Sequence, residues 1–108
     1  MSHDDYFRIV FIILKSLYEY KKAHKKFDLD EISAEVLKIN EGYRDEILEE
    51  ILESGYVKGF KVKRYIAGKY ITGLANIDIT EKGIEYLSEN SNMKKVYTIL
   101  KETRDWII

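Results

Sequence analysis

The 108-residue sequence predicts an α+β fold that is mainly α, and three observations lead to that prediction. Apolar residues recur at spacings of three and four between Tyr43 and Leu52, which is the pattern of one face of an α-helix. A shorter helical pattern precedes this helix across a tight turn, and an alternating, basic segment with several glycines follows it. Helix, turn, helix and hairpin in this order predict a winged helix-turn-helix with a two-stranded β-hairpin wing and additional C-terminal helices.

Length and composition are typical of one globular domain, which we expect to span residues 1–108. There is no cysteine, so the chain has neither a disulfide framework nor a thiolate site. The longest apolar run, Ile9 to Leu14, is six residues long, far below the roughly 20 residues that cross a bilayer. The acidic N-terminus differs from the basic start of a secretory signal. We therefore expect a cytoplasmic protein that does not contact membranes.

The first predicted helix covers about residues 4–22 and is apolar over most of its circumference. Its polar positions form one narrow stripe of Arg8, Lys15, Glu19 and Lys22. A helix of this kind must be covered on more than one side. We expect the core on one side and another helix or a second subunit on the other.

Two further helices make the predicted helix-turn-helix. Asp28 begins an Asp-Leu-Asp-Glu start signal for a short helix over about 29–37. Asn40 is a suitable N-cap for the third helix, over about 41–54, and Gly55 can take the left-handed conformation that ends it.

The wing is predicted over about residues 56–79. Phe60 and Val62 alternate with Lys61 and Lys63, which predicts a strand with its cations on one face. Gly68 marks the turn, and Ile77-Asp78-Ile79 is expected to close the second strand.

Two C-terminal helices are predicted over about 81–89 and 92–106, with Thr80 as the N-cap of the first. The second has an apolar stripe that includes Met93 and Leu100, and the chain ends in Trp106-Ile107-Ile108. We expect this last helix to pack along the first.

Charge is strongly segregated in the middle of the chain. Residues 28–55 carry two cations and ten anions, whereas residues 56–79 carry five cations and one anion. Such blocks are usually solvated faces, and the alternative is that they form a surface for a charged partner.

DNA binding is the function that this fold suggests, because the second helix of a helix-turn-helix enters the major groove. Arg44 could bind a guanine there. The predicted outward face of that helix is otherwise acidic and would face a polyanion; it comprises Gly42, Asp45, Glu46, Glu49, Glu50 and Glu53. We therefore expect the wing to supply most contacts. The predicted nucleic-acid-binding residues are Lys58, Lys61, Lys63, Arg64 and Lys69, with Arg44 on the third helix.

The alternative for the wing is a solvated hairpin whose lysines prevent edge-to-edge aggregation. The alternative for the whole chain is a protein–protein interaction module that binds no DNA. An acidic helix beside a basic wing makes a bipolar surface, which suits a protein partner or a second copy in a homodimer.

Three stretches of the sequence together resemble the YjcQ family of small bacterial and prophage proteins. They are FDLDEISAEV at 27–36, ILESGYVKG at 51–59 and ITEKGIEYLSENSNMKK at 79–95. The resemblance extends over about residues 6–105 and implies a winged-helix fold. It supplies no functional residues.

The sequence does not predict an enzyme. The histidines, His3 and His24, lie in a terminal tail and in a run of lysines, and no glycine spacing fits a nucleotide loop. The carboxylates lie on predicted outward helix faces, where we expect ordinary pKa values. We expect no catalytic residue, metal or cofactor. The predicted function is a winged-helix nucleic-acid-binding protein, with a phage-related transcriptional regulator as its specific form.

Overall fold

A computed structural model describes residues 3–103 and the side chains of residues 5–101. The helices are α1 His3–Lys22, α2 Ala34–Leu37, α3 Glu41–Glu53, α4 Glu81–Glu89 and α5 Ser91–Thr103, with 3-10 helices at Leu29–Ile32 and Leu74–Asn76. The strands are β1 Val57–Lys58, β2 Lys61–Tyr65, β3 Gly68–Thr72 and β4 Asp78–Ile79. The predicted α+β class, mainly α, is confirmed.

Helix α1 lies at the centre of the core. Its fully buried side chains include Ile9, Ile13 and Leu14. It contacts α4, α5, β4 and the first 3-10 helix. The predicted cover from another helix is therefore present, since α4 and α5 of the same chain pack on α1.

Helix α3 buries the residues that its periodicity predicts, Ile47, Leu48 and Ile51. Its N-terminus is capped by Asn40, whose Oδ1 accepts a hydrogen bond from the Gly42 amide at 2.7 Å. Beyond its C-terminus Gly55 has a φ of +84°, the left-handed conformation expected there. Local signals thus determine both ends of this helix.

The prediction of one helix over 29–37 is wrong. The segment forms a 3-10 helix and a single α-helical turn, which meet at Ser33. Ser33 has an extended backbone, and its hydroxyl accepts a hydrogen bond from the Val36 amide at 3.1 Å. Because serine satisfies a free amide in this way, it starts a new helix instead of continuing the previous one.

The prediction that Ile77-Asp78-Ile79 closes the same second strand, after an interruption at Gly73, is also wrong. Strand β4 pairs with β1, whereas β3 pairs with β2, so the wing contains two separate antiparallel ladders. They are separated by Gly59 and Gly73, both at positive φ. A Cβ on Gly59 would lie 2.0 Å from the Asn76 carbonyl oxygen, so the close backbone approach at this junction requires glycine.

The first C-terminal helix begins as predicted after Thr80, whose hydroxyl accepts a hydrogen bond from the Gly83 amide at 3.0 Å. Helix α5 packs along α1 and buries Met93 and Leu100. The predicted end of this helix at 106 and the Trp106-Ile107-Ile108 segment lie outside the described residues. None of the helices described is long and apolar enough to cross a membrane.

Candidate functional site

Strands β2 and β3 form a hairpin arm, residues 61–72, whose register divides its side chains between two faces. Directly paired residues of antiparallel strands project to the same face, and successive residues alternate. The outer face, as we name it, consists of Lys61, Lys63, Tyr65, Gly68, Tyr70 and Thr72. The inner face consists of Val62, Arg64, Lys69 and Ile71.

The inner face binds a carboxylate of α3. Glu49 accepts hydrogen bonds from the Arg64 guanidinium on one oxygen and from the Lys69 ammonium on the other. The residue is only 7% exposed. Lys69 above all, together with the positive charge of Arg64, holds the pKa of Glu49 below its ordinary value, although burial acts in the opposite direction. The prediction that Glu49 lies on a solvated face with an ordinary pKa is wrong.

This arrangement divides the predicted wing cations into two groups. Arg64 does not share a face with Lys61 and Lys63, so the prediction of all strand cations on one face is wrong for this residue. Arg64 and Lys69 both bind the single carboxylate of Glu49, so the three groups together keep one net positive charge, and the Arg64 side chain is 67% exposed.

The outer face is exposed to solvent. Among the described side chains, no carboxylate lies within ion-pair distance of Lys61 or Lys63. Tyr65 and Tyr70 are 56% and 52% exposed, with ring centroids 5.7 Å apart and ring planes inclined at 52°. Two cations and two aromatic rings therefore share one surface.

Lys58 lies apart from this group, at the base of the wing on β1. It is exposed and pairs across the ladder with Asp78. The Asp78 carboxylate accepts a hydrogen bond from Lys21 of α1 at 3.0 Å. Lys58 thus lies on the other ladder, close to a carboxylate that already has a partner.

Arg44 is turned toward the protein instead of toward solvent. Its side chain is 17% exposed, and its guanidinium binds Asp45 at 2.8 Å and approaches the Ile32 carbonyl oxygen at 3.5 Å. The signal was present in the sequence, because Arg44 precedes Ile47, Leu48 and Ile51 by three, four and seven residues. That spacing puts it on the buried side of the helix.

The exposed surface of α3 is acidic, as predicted. Its exposed carboxylates are Glu41, Glu46, Glu50 and Glu53. Two of them, Glu46 and Glu53, lie one turn before and after Glu49 on the same side of the helix. The region of α3 that meets the inner face of the arm therefore carries a row of negative charge.

The structure gives no metal centre among the described residues, where no group of three or more His, Asp or Glu side chains could hold an ion. His24 is exposed and has a φ of +58° just beyond the end of α1. The side chain of His3 lies outside the described part of the chain.

Comparison with known proteins identifies the family. The sequence model of the YjcQ protein family matches residues 11–106. A Bacillus subtilis (strain 168) protein named "Uncharacterized protein YjcQ" is 27% identical over 100 residues, which is 93% of this chain and 95% of that protein. The comparison with solved structures found no significant match. The chain therefore belongs to the YjcQ family.

Proposed function

We propose that this member of the YjcQ family binds nucleic acid through the outer face of its hairpin arm, with Lys61 and Lys63 as the principal phosphate contacts. The observation that carries the proposal is the exposed surface that these lysines share with Tyr65 and Tyr70, free of neighbouring carboxylates among the described side chains. Affinity for nucleic acid comes largely from cations that neutralise phosphates.

Helix α3 is not the principal binding element in this proposal. Its exposed side chains include Glu46 and Glu50, which would repel the phosphates of a docked duplex. Arg44, the cation that could bind a guanine, is engaged with Asp45. The wing consequently replaces the helix as the contact surface, with Lys58 as an additional, peripheral cation.

Arg64 and Lys69 take a supporting role. Both cations share the negative charge of Glu49, which reduces the positive potential that they present to a phosphate, so we expect each to add less affinity than Lys61 or Lys63. The order of elements supports the winged-helix assignment, and a phage-related transcriptional regulator in the cytoplasm is the specific form we propose.

Fluorescence anisotropy with labelled random-sequence duplex and single strands at low salt tests the proposal. K61E/K63E should lose most of the binding. A matched control is K94E/K95E, which changes net charge equally at two exposed positions of α5. Wild-type and control proteins should bind alike. Equal binding by K61E/K63E, or no binding by the wild type to either form, would overturn the proposal.

A protein partner is the second candidate, and Ile66 favours it. This side chain, at the tip of the arm, is fully exposed beside Tyr65. Exposed apolar clusters are typical of protein contacts. If this surface joins two copies of the chain, sedimentation equilibrium should show a dimer that I66S converts to a monomer. A wild-type monomer at all concentrations would exclude the homodimer.

A further inference from the structure

We infer that the outer face takes single-stranded nucleic acid in preference to a duplex, with bases stacked on Tyr65 and Tyr70. The inference rests on the proposed function and specifies the class of its ligand. It depends on the position of the rings among the lysines and on the acidic surface of α3.

Tyr65 and Tyr70 are both exposed although each lies against a cross-strand neighbour. Tyr65 lies across from Gly68, and its hydroxyl would be 3.5 Å from a Cβ at that position, so this ring covers a glycine that has no side chain to pack. Tyr70 pairs directly with Lys63. Each residue nevertheless keeps more than half of its surface in solvent.

The pairing of Tyr70 with Lys63 sets an aromatic ring beside a cation that has no ion-pair partner among the described side chains. Proteins that bind single strands combine aromatic rings, which stack on bases, with cations that follow the phosphates. Because Lys61 and Lys63 are two residues apart on one strand, they present their charges along one edge of the tyrosine pair. The outer face thus has both components in a small area.

A duplex cannot use the tyrosines in the same way. Its bases are already stacked and paired, so a ring could reach their faces only by insertion, which costs unstacking energy. A duplex would retain only the contributions of a few lysines. The bases of a single strand are free to splay out onto aromatic side chains.

The acidic surface of α3 favours the same ligand. A duplex is a wide and stiff polyanion, and one that docks on the wing would extend toward the carboxylates of the adjacent helix. A single strand is flexible and can follow the outer face, which is opposite the face that meets Glu49.

The test uses the full-length protein and four labelled probes of equal length: oligothymidine, oligouridine, an abasic DNA strand and a DNA duplex. We expect the pyrimidine strands to bind more tightly than the duplex. The abasic strand has the same charge but no bases, and it should bind roughly 5- to 150-fold more weakly for each stacked base lost. Y65A/Y70A should lower the affinity for pyrimidine strands to that of the abasic strand, whereas Y65F/Y70F should retain it.

The outcomes separate this inference from the proposed function. Equal affinity for duplex, abasic and pyrimidine strands, all lost in K61E/K63E, would uphold the wing as a nucleic-acid site and overturn the single-strand inference. No binding of any probe would overturn both. Tyrosine-dependent binding of either the DNA or the RNA strand supports the inference. If Y65A/Y70A does not fold, as judged by circular dichroism, the abasic strand on the wild-type protein still decides the question.

Discussion

The two faces of the hairpin arm have similar residues and different environments. Each face carries two cations, yet those of the inner face bind Glu49, whereas Lys61 and Lys63 of the outer face have no carboxylate within reach among the described side chains. The inner face includes Ile71, which packs against the core, and the outer face carries two exposed tyrosines. Charge counted along a sequence therefore does not measure the charge available to a partner.

The difference also shows how the arm is held in place. Its strands contact each other extensively but have few backbone contacts with the rest of the described chain. The two ion pairs to Glu49 join it to α3 over 15 and 20 residues of sequence. We therefore regard the inner face as the anchor of the arm and the outer face as the surface offered to a ligand.

The largest effect of a substitution on stability is expected in the core, at Leu48. This residue of α3 is fully buried, and it directly precedes Glu49 in the sequence. L48A removes its side chain and leaves a cavity, so the free energy of unfolding should fall by roughly 2–5 kcal/mol. Urea denaturation measures this. A change near zero would mean that Leu48 does not lie on the buried face of α3.

A smaller effect should distinguish the two faces directly, through a matched pair on β3. I71T removes a half-buried apolar side chain that packs on the core, so it should lower the free energy of unfolding by about 1 kcal/mol. Y70T places threonine, which favours strands, at the exposed neighbouring position. It should lower the free energy of unfolding by less than I71T does. Thermal denaturation of both variants checks the order. The reverse order would invert the assignment of the faces.

Loss of the Glu49 charge should loosen the arm more than it destabilises the whole domain. In E49Q we expect faster amide hydrogen exchange over residues 61–72, with exchange in the α1 core nearly unchanged. The control is E46Q, which alters an exposed carboxylate one turn earlier on α3. Equal exchange in E49Q and wild type would show that the ion pairs do not anchor the arm.

The same ion pairs predict a pH dependence with a definite sign. The pKa of Glu49 is lowered in the folded protein from the ordinary value of 4.5, so folding favours its charged form. The stabilisation is fully present above pH 4.5 and is lost as pH falls through the lower, folded-state pKa. The difference in arm protection between wild type and E49Q should therefore shrink below that pH. A difference that grows on acidification would contradict the assignment.

The smallest effect on stability belongs to the outer face. K61Q/K63Q should change the free energy of unfolding by no more than about 0.5 kcal/mol, as is usual for exposed positions. The salt dependence of single-strand binding then tests which cations act. With Lys58, Lys61 and Lys63 engaged, the log–log slope should be no steeper than about −2, at roughly −0.7 per phosphate. A slope near −3.5 would mean that Arg64 and Lys69 bind phosphates too, and the distinction between the faces would fail.

The sequence by itself determined the features that depend on neighbouring residues. The caps at Asn40 and Thr80 start their helices through hydrogen bonds to amides two or three residues ahead. The spacing of Ile47, Leu48 and Ile51 determined which face of α3 is buried, because helical periodicity is local. The local composition also predicted an acidic α3 and a basic hairpin, and the structure contains both.

Only the tertiary structure decided which charges meet and which strands pair. The spacing of α3 puts Glu50, three residues after Ile47, nearer the buried side than Glu49, yet Glu49 is buried against the arm and Glu50 is exposed. Pairing of β4 with β1 depends on the close backbone approach of Gly59 and Asn76. Ion pairs and strand register depend on how segments far apart in the sequence pack together. A pattern of nearby residues contains no information on that packing. The availability of a cation for binding is therefore a property of the folded chain.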